Sequence, residues 1–162
     1  MAEGKPDPSE EEIRTQQDEW QLTSSTWMGT GAWLPTKQSV LSATVSAPAS
    51  DVYEAAKAVI GHLGRRNPFH AQPAEAGGGA MRGSFGSGWA NMNATIVALE
   101  VRPRGGTRAD LRIRAGAKEG LLNQHSSEKA VRRVRDALSE KLGGVEIAGE
   151  PTATDASATQ AV

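Results

Sequence analysis

Five arginines stand close together in the second half of the chain: Arg102, Arg104, Arg108, Arg112 and Arg114, gathered around the phrase Pro103-Arg104-Gly105-Gly106-Thr107. A guanidinium offers a planar fork of donors that matches carboxylate and phosphate oxygens, so such a cluster is suited to holding anions rather than to moving protons. The residue types that would add catalysis do not accompany it. His62, His70 and His125 stand at no metal-binding or catalytic spacing, and Glu75, Glu100, Asp110 and Glu119 are scattered acids. Cysteine is absent, which excludes disulfides, thiolate nucleophiles, cysteine-based zinc sites and Fe–S clusters. Gly83, Gly86 and Gly88 space as G-x-x-G-x-G with no Lys-Ser/Thr after them, a pattern of strand bulges and close approaches rather than a phosphate loop. The residues therefore indicate no catalytic group, no metal and no cofactor.

Two strands must position the arginines. Asn93 to Arg102 is an apolar run with Ile96, Val97, Leu99 and Val101, and Pro103 to Thr107 reads as a hairpin turn. In the partner strand Ala109, Leu111, Ile113 and Ala115 alternate with Arg108, Asp110, Arg112 and Arg114, the pattern of an antiparallel strand with one wet face. Upstream, Ser39 to Ser46 is strand-like and Pro48 ends it. Ser50-Asp51 offers a helix cap. Val52, Ala55, Ala56, Val59, Ile60 and Leu63 then form one apolar stripe at the helical period, and Gly64 closes the helix. Gly77-Gly78-Gly79 reads as a flexible turn. Ser126 to Leu142 carries a second stripe, Ala130, Val131, Val134, Ala137, Leu138 and Leu142, ended by Gly143-Gly144. This order predicts an α+β, two-layer domain: an antiparallel sheet of about four or five strands with two amphipathic helices on one face, in the order strand-helix-strands-helix.

The 162 residues divide unevenly. Residues 1–19 hold seven acids against Lys5 and Arg14, a net charge of −5, and read as a disordered acidic tail. Residues 20–38 form a segment bearing Trp20, Trp27 and Trp33, three of the chain's four tryptophans, which either packs on the domain or docks on another protein. Residues 39–142 make the single domain. Residues 143–162 carry three acids and no base and read as a second disordered tail. Between the tails the balance is +7, so a basic domain lies between two acidic ends. Only 38% of residues are hydrophobic and 4% aromatic, so the core must be built from Ala, Val, Leu and Ile. With no secretion signal at the start and no apolar run long enough to span a bilayer, the expected location is the cytoplasm. Arg- and Ala-rich usage points to a high-GC bacterial genome.

Two resemblances accompany this reading. The phrase Ala43-Thr44-Val45-Ser46-Ala47-Pro48-Ala49-Ser50-Asp51-Val52-Tyr53-Glu54-Ala55 resembles the opening of helix-grip lipid-transfer and polyketide-cyclase-like domains, where an Ala-Pro-x-x-x-Val-Tyr/Trp phrase joins first strand to first helix. Over residues 39–142 the chain is similar to a family of small bacterial lipoprotein domains of unknown function. The matching phrases are Val52-Tyr53-Glu54-Ala55-Ala56-Lys57, Leu63-Gly64, Ile113-Arg114-Ala115-Gly116 and Ser126-Ser127. The lipobox cysteine and signal of that family are missing here, so its membrane anchor does not carry over.

Together these features indicate a non-catalytic interaction domain that binds a protein partner, or itself, through Arg102, Arg104, Arg108, Arg112 and Arg114 on a basic sheet face, through Trp20, Trp27 and Trp33, or both. A sequence pI of 6.3 and the lack of interleaved aromatics argue against nucleic acid and leave an acidic protein or another anionic surface. The plainer account is a solvated face in which the arginines pair with Glu100 and Asp110. The helix-grip resemblance implies the alternative, a carrier of a small hydrophobic ligand or lipid.

Overall fold

Alternation along each strand decides which side chains meet the helices and which meet solvent. The computed structural model describes residues 36–64, 69–87, 93–118 and 125–155. In chain order these form β1 (Thr36–Val45), α1 (Ala49–Gly64), β2 (His70–Pro73), a single 3-10 turn (Glu75–Gly77), β3 (Gly79–Ser87), β4 (Asn93–Pro103), β5 (Ala109–Lys118), α2 (Ser126–Lys141) and β6 (Thr152–Asp155). The strands make one sheet in the order β2-β3-β4-β5-β1-β6, with every neighbouring pair antiparallel. The domain is α+β and two-layered as expected, with six strands among the described residues instead of four or five.

One face of the sheet is buried. Leu41 and Val45 of β1, Met81 and Phe85 of β3, Val97, Leu99 and Val101 of β4, and Leu111 and Ile113 of β5 all point to the helices. Above them α1 lies on β3 and β4, α2 crosses β5, β1 and β4, and the two helices touch. The apolar stripes behave as their period requires: Val52, Ala55, Ala56, Val59 and Ile60 are buried from α1, and Ala130, Val131, Val134 and Leu138 from α2. Leu63, Ala137 and Leu142 pack at the rim of the same core. Aliphatic side chains with few aromatics fill the layer, as the composition demands.

Local details depart from the sequence reading in three places. First, α1 begins at Ala49, so Ser50 and Asp51 lie in its first turn, and the carbonyl of Pro48 accepts hydrogen bonds from the N–H groups of Asp51 and Val52. Second, Gly77-Gly78-Gly79 is a close-packed crossing rather than a flexible turn. A Cβ at Gly78 would lie 2.5 Å from the Val101 carbonyl oxygen, and one at Gly79 would lie 2.5 Å from both the Gln72 carbonyl oxygen and the Tyr53 ring. Third, β1 starts at Thr36, inside the segment assigned to a linker, and residues 143–155 do not form a tail. Ile147 is buried in the core and β6 pairs with the outer edge of β1, because that edge would otherwise expose a row of unpaired backbone groups.

Candidate anion-binding face

Both helices lie on one side of the sheet, and the arginines lie on the other. Residues of β3, β4 and β5 that alternate with the buried set, among them Arg82, Ala98, Arg112 and Arg114, are half-buried and share the opposite face. The ladder aligns them in rows. Ala98 is in register with Arg82 on β3 and with Arg114 on β5, and Arg114 in turn faces Val40 on β1. One rung further along that face, Glu100 pairs with Arg112, which faces Ser42. Two strand spacings set Arg82 and Arg114 about 10 Å apart across the methyl group of Ala98. The Nε atoms of Arg82, Arg112 and Arg114 are shielded from solvent, so these side chains lie along the sheet with their stems packed down.

The hairpin end of the same face is different. Arg102 pairs with Glu100 two residues earlier on β4. Arg104 donates to Thr44 Oγ1 at 2.9 Å and lies 3.4 Å from Asp110 Oδ1, while Thr44 Oγ1 donates to the same carboxylate oxygen at 3.0 Å. The Arg102 and Arg104 side chains are 64% and 61% exposed, so pairs of this kind stabilise by only about 0–1 kcal/mol. Arg108 is exposed at the turn, where its carbonyl accepts from the Arg104 N–H. The structure thus divides the five arginines predicted as one patch. Arg112 and Arg114 sit at the centre of the sheet face, and Arg102 and Arg104 are matched by acids at the hairpin end. Trp20, Trp27 and Trp33 lie outside the described residues.

Arg82 belongs to the central group and escaped the sequence reading. Its signal was the alternation Met81, Gly83, Phe85 against Arg82 and Ser84, which the glycines of β3 obscured. The acid-base candidates fall elsewhere. His62 lies in the last turn of α1, His70 begins β2 and His125 precedes α2, where its Nδ1 stands 3.7 Å from Glu128 Oε2. Among the described residues no three His, Asp or Glu side chains come together in a metal-holding group. Tyr53 is packed against Gly79, and burial first, then the charge of Glu54, raises its hydroxyl above the ordinary phenol range, which keeps it neutral. A guanidinium row on a sheet face can clamp a carboxylate or phosphoryl group by paired N–H···O bonds. It offers no general base.

No helix among the described residues is long and apolar enough to cross a membrane. No family model and no curated protein matches the chain, so the lipoprotein-domain resemblance gains no support from either. Among solved structures, norcoclaurine synthase from Thalictrum flavum is similar at 13% identity over 71% of this chain and 91% of that one, with a TM-score of 0.42. Ara h 8.0201 is similar at 8% identity over 67% and 99% of the two chains, with a TM-score of 0.40. The di-domain ARO/CYC StfQ from the steffimycin biosynthetic pathway is similar at 11% identity over 62% of this chain, which spans 43% of that one, with a TM-score of 0.35. At such identities and TM-scores none of these likenesses decides a chemistry for this chain.

Proposed function

We propose that this domain is a non-catalytic binding module that engages an acidic protein segment through the sheet face opposite the helices. The observation that supports it is the register of β3, β4 and β5, which sets Arg82 and Arg114 on either side of Ala98 with Arg112 in the next row. An extended acidic peptide laid along β5 would meet Arg112 and Arg114 at the two-residue spacing of its own same-face side chains, about 6.7 Å, with Arg82 two strands away. Electrostatic attraction of this kind raises association rates and weakens with salt. Calorimetric titration with a Glu-rich peptide tests it. Arg112→Glu/Arg114→Glu is expected to weaken binding at least ~10-fold, because two attractive contacts become repulsive. A double variant with native circular dichroism and unchanged affinity overturns the assignment, and binding to anionic vesicles in place of the peptide would reassign the partner.

A second reading, a carrier of a small hydrophobic ligand, is favoured by one feature of the buried face. Near the N-terminal end of α2 that face is lined by short side chains, Ser39, Thr95, Ala115 and Ala117, and the buried Ser39 and Ser127 hydroxyls lie 2.9 Å apart. A thermal-shift screen with acyl and aromatic ligands checks it, and a melting temperature unmoved by every ligand removes it.

A further inference from the structure

The segment that follows α2 is held along one helix and one sheet edge. After Lys141 the chain reverses at Gly143 and Gly144, whose φ angles of 77° and 87° fall where L side chains are strained, and nothing lies within 4 Å of a Cβ built at either. The segment then retraces α2. Ser139 Oγ donates to the Val145 carbonyl at 2.7 Å, Arg135 donates to the Gly149 carbonyl at 2.9 Å, and Glu150 accepts from Arg132 and Arg135 at 3.1 and 3.2 Å. Finally β6 adds to β1, with Thr152 opposite Val40 and Asp155 opposite Lys37. Across 145–153, Ile147 is the one fully buried side chain, Val145 and Pro151 are half-buried, and the others are exposed. The attachment therefore consists of one aliphatic anchor, a solvated ion-pair cluster and four rungs of backbone ladder. Removing it would uncover an edge and one socket while leaving the packed layers between sheet and helices in place.

We propose that residues 145–155 are an exchangeable arm, and that the channel they occupy, between the edge of β1 and the exposed side of α2, is a docking site for the same arm of a second copy of this chain. Exchange needs no new complementarity. The incoming arm carries the same aliphatic anchor for the core socket, the same carboxylate three residues later for Arg132 and Arg135, and the same backbone groups for Lys37 to Val40, so the bonds of the arm itself are remade in the second copy and only the hinge bonds, from the Gly143 N–H to the Glu140 carbonyl and from the Gly144 N–H to the Ser139 carbonyl, are given up. Open left-handed glycines at the reversal let the arm swing from the bent to the extended state without displacing a neighbour. Closure within one chain competes at an effective concentration in the millimolar range, so the wild-type chain is monomeric when dilute and exchanges when concentrated. This interface is separate from the arginine face and stands whether or not that face binds acidic peptides.

Two full-length variants and one peptide test the arm. Gly143→Val/Gly144→Val penalises the tight reversal, because β-branched residues resist positive φ, and is expected to shift the chain to a dimer in size-exclusion chromatography with light scattering. Adding Ile147→Asp should return it to monomer, whereas adding Arg112→Glu/Arg114→Glu should leave the dimer intact. A folded hinge variant that stays monomeric at about 1 mM, in the range where exchange should compete, overturns the proposal, as does a dimer that survives Ile147→Asp. Independently of how the hinge variant folds, a fluorescent peptide of residues 145–155 should bind the Ile147→Asp chain at least ~10-fold more tightly than wild type, since its own arm no longer competes. Equal affinity for both, or none for either, overturns it.

Discussion

Strand β5 carries two surfaces with opposite rules. Its inward residues, Ala109, Leu111, Ile113 and Ala115, are at most 2% exposed and are held by shape against α1 and α2. Its outward residues, Asp110, Arg112 and Arg114, are half-buried and are placed by register with Thr44, Glu100 and Ala98. Close packing makes the inner set intolerant of a single methylene, while the outer set depends on charge at the end of a flexible stem. If the outer face binds as proposed, the same backbone separates folding from recognition, and a change of partner would require changes on one side of the sheet alone.

Substitutions at consecutive positions offer the sharpest attempt to break this separation. Ile113→Ala is expected to cost about 2–5 kcal/mol in chemical denaturation, through lost burial and the cavity left between the layers. Arg112→Ala and Arg114→Ala, one residue to either side, should each cost no more than about 1 kcal/mol while weakening acidic-peptide binding. A loss at Arg114 as large as that at Ile113 would show that the outer face is part of what holds the fold.

The two sides also differed in how far the sequence revealed them. Both helices and the inner face of β5 were legible, because Val52 to Leu63, Ala130 to Leu142 and Ala109 to Ala115 repeat at the period their burial requires. The outer face was half legible: Arg112 and Arg114 alternate visibly, but Arg82 lies in a strand whose inward positions include Gly79 and Gly83, which carry no hydrophobic signal. Ile96 lies in the apolar run of β4 yet faces outward, half-buried, because it alternates with the buried Thr95 and Val97. The strand β6 was not legible at all. Thr152-Ala153-Thr154-Asp155 has no apolar alternation, and its conformation is imposed by the free edge of β1, a tertiary cause that composition does not record.

Glycines extend the contrast between places ruled by shape and places that are not. Gly78 has an ordinary φ, yet its Cβ position lies 2.5 Å from the Val101 carbonyl oxygen and 3.1 Å from Pro103 Cδ, so backbone would have to move. Gly78→Ala should cost about 1–3 kcal/mol or more by overpacking. Gly106, at the hairpin turn, has nothing within 4 Å of its Cβ position and no positive φ. Gly106→Ala should therefore be neutral or stabilise by about 0.5 kcal/mol, through the smaller freedom of the unfolded chain. The check is the midpoint of urea unfolding at constant slope. Equal effects would mean that the triple glycine is a loose turn after all and that the crossing between β2, α1 and β4 is not close-packed.

One more modest effect tests the inner face where its rule is weakest. Ser39 and Ser127 are 0% and 3% exposed, and each hydroxyl finds the other at 2.9 Å in a layer that is otherwise mostly apolar, with Thr95 also buried. Either Ser39→Ala or Ser127→Ala leaves the opposite hydroxyl buried without this partner, at a cost of about 1 kcal/mol or somewhat more. Removing both should cost less than the sum, because the desolvation penalty of the orphaned group disappears with it. A double-mutant cycle with coupling near zero would break the pairing. Each hydroxyl would then be satisfied independently, and this end of the buried face would be polar in its own right, as a ligand-binding chamber requires and a sealed core does not.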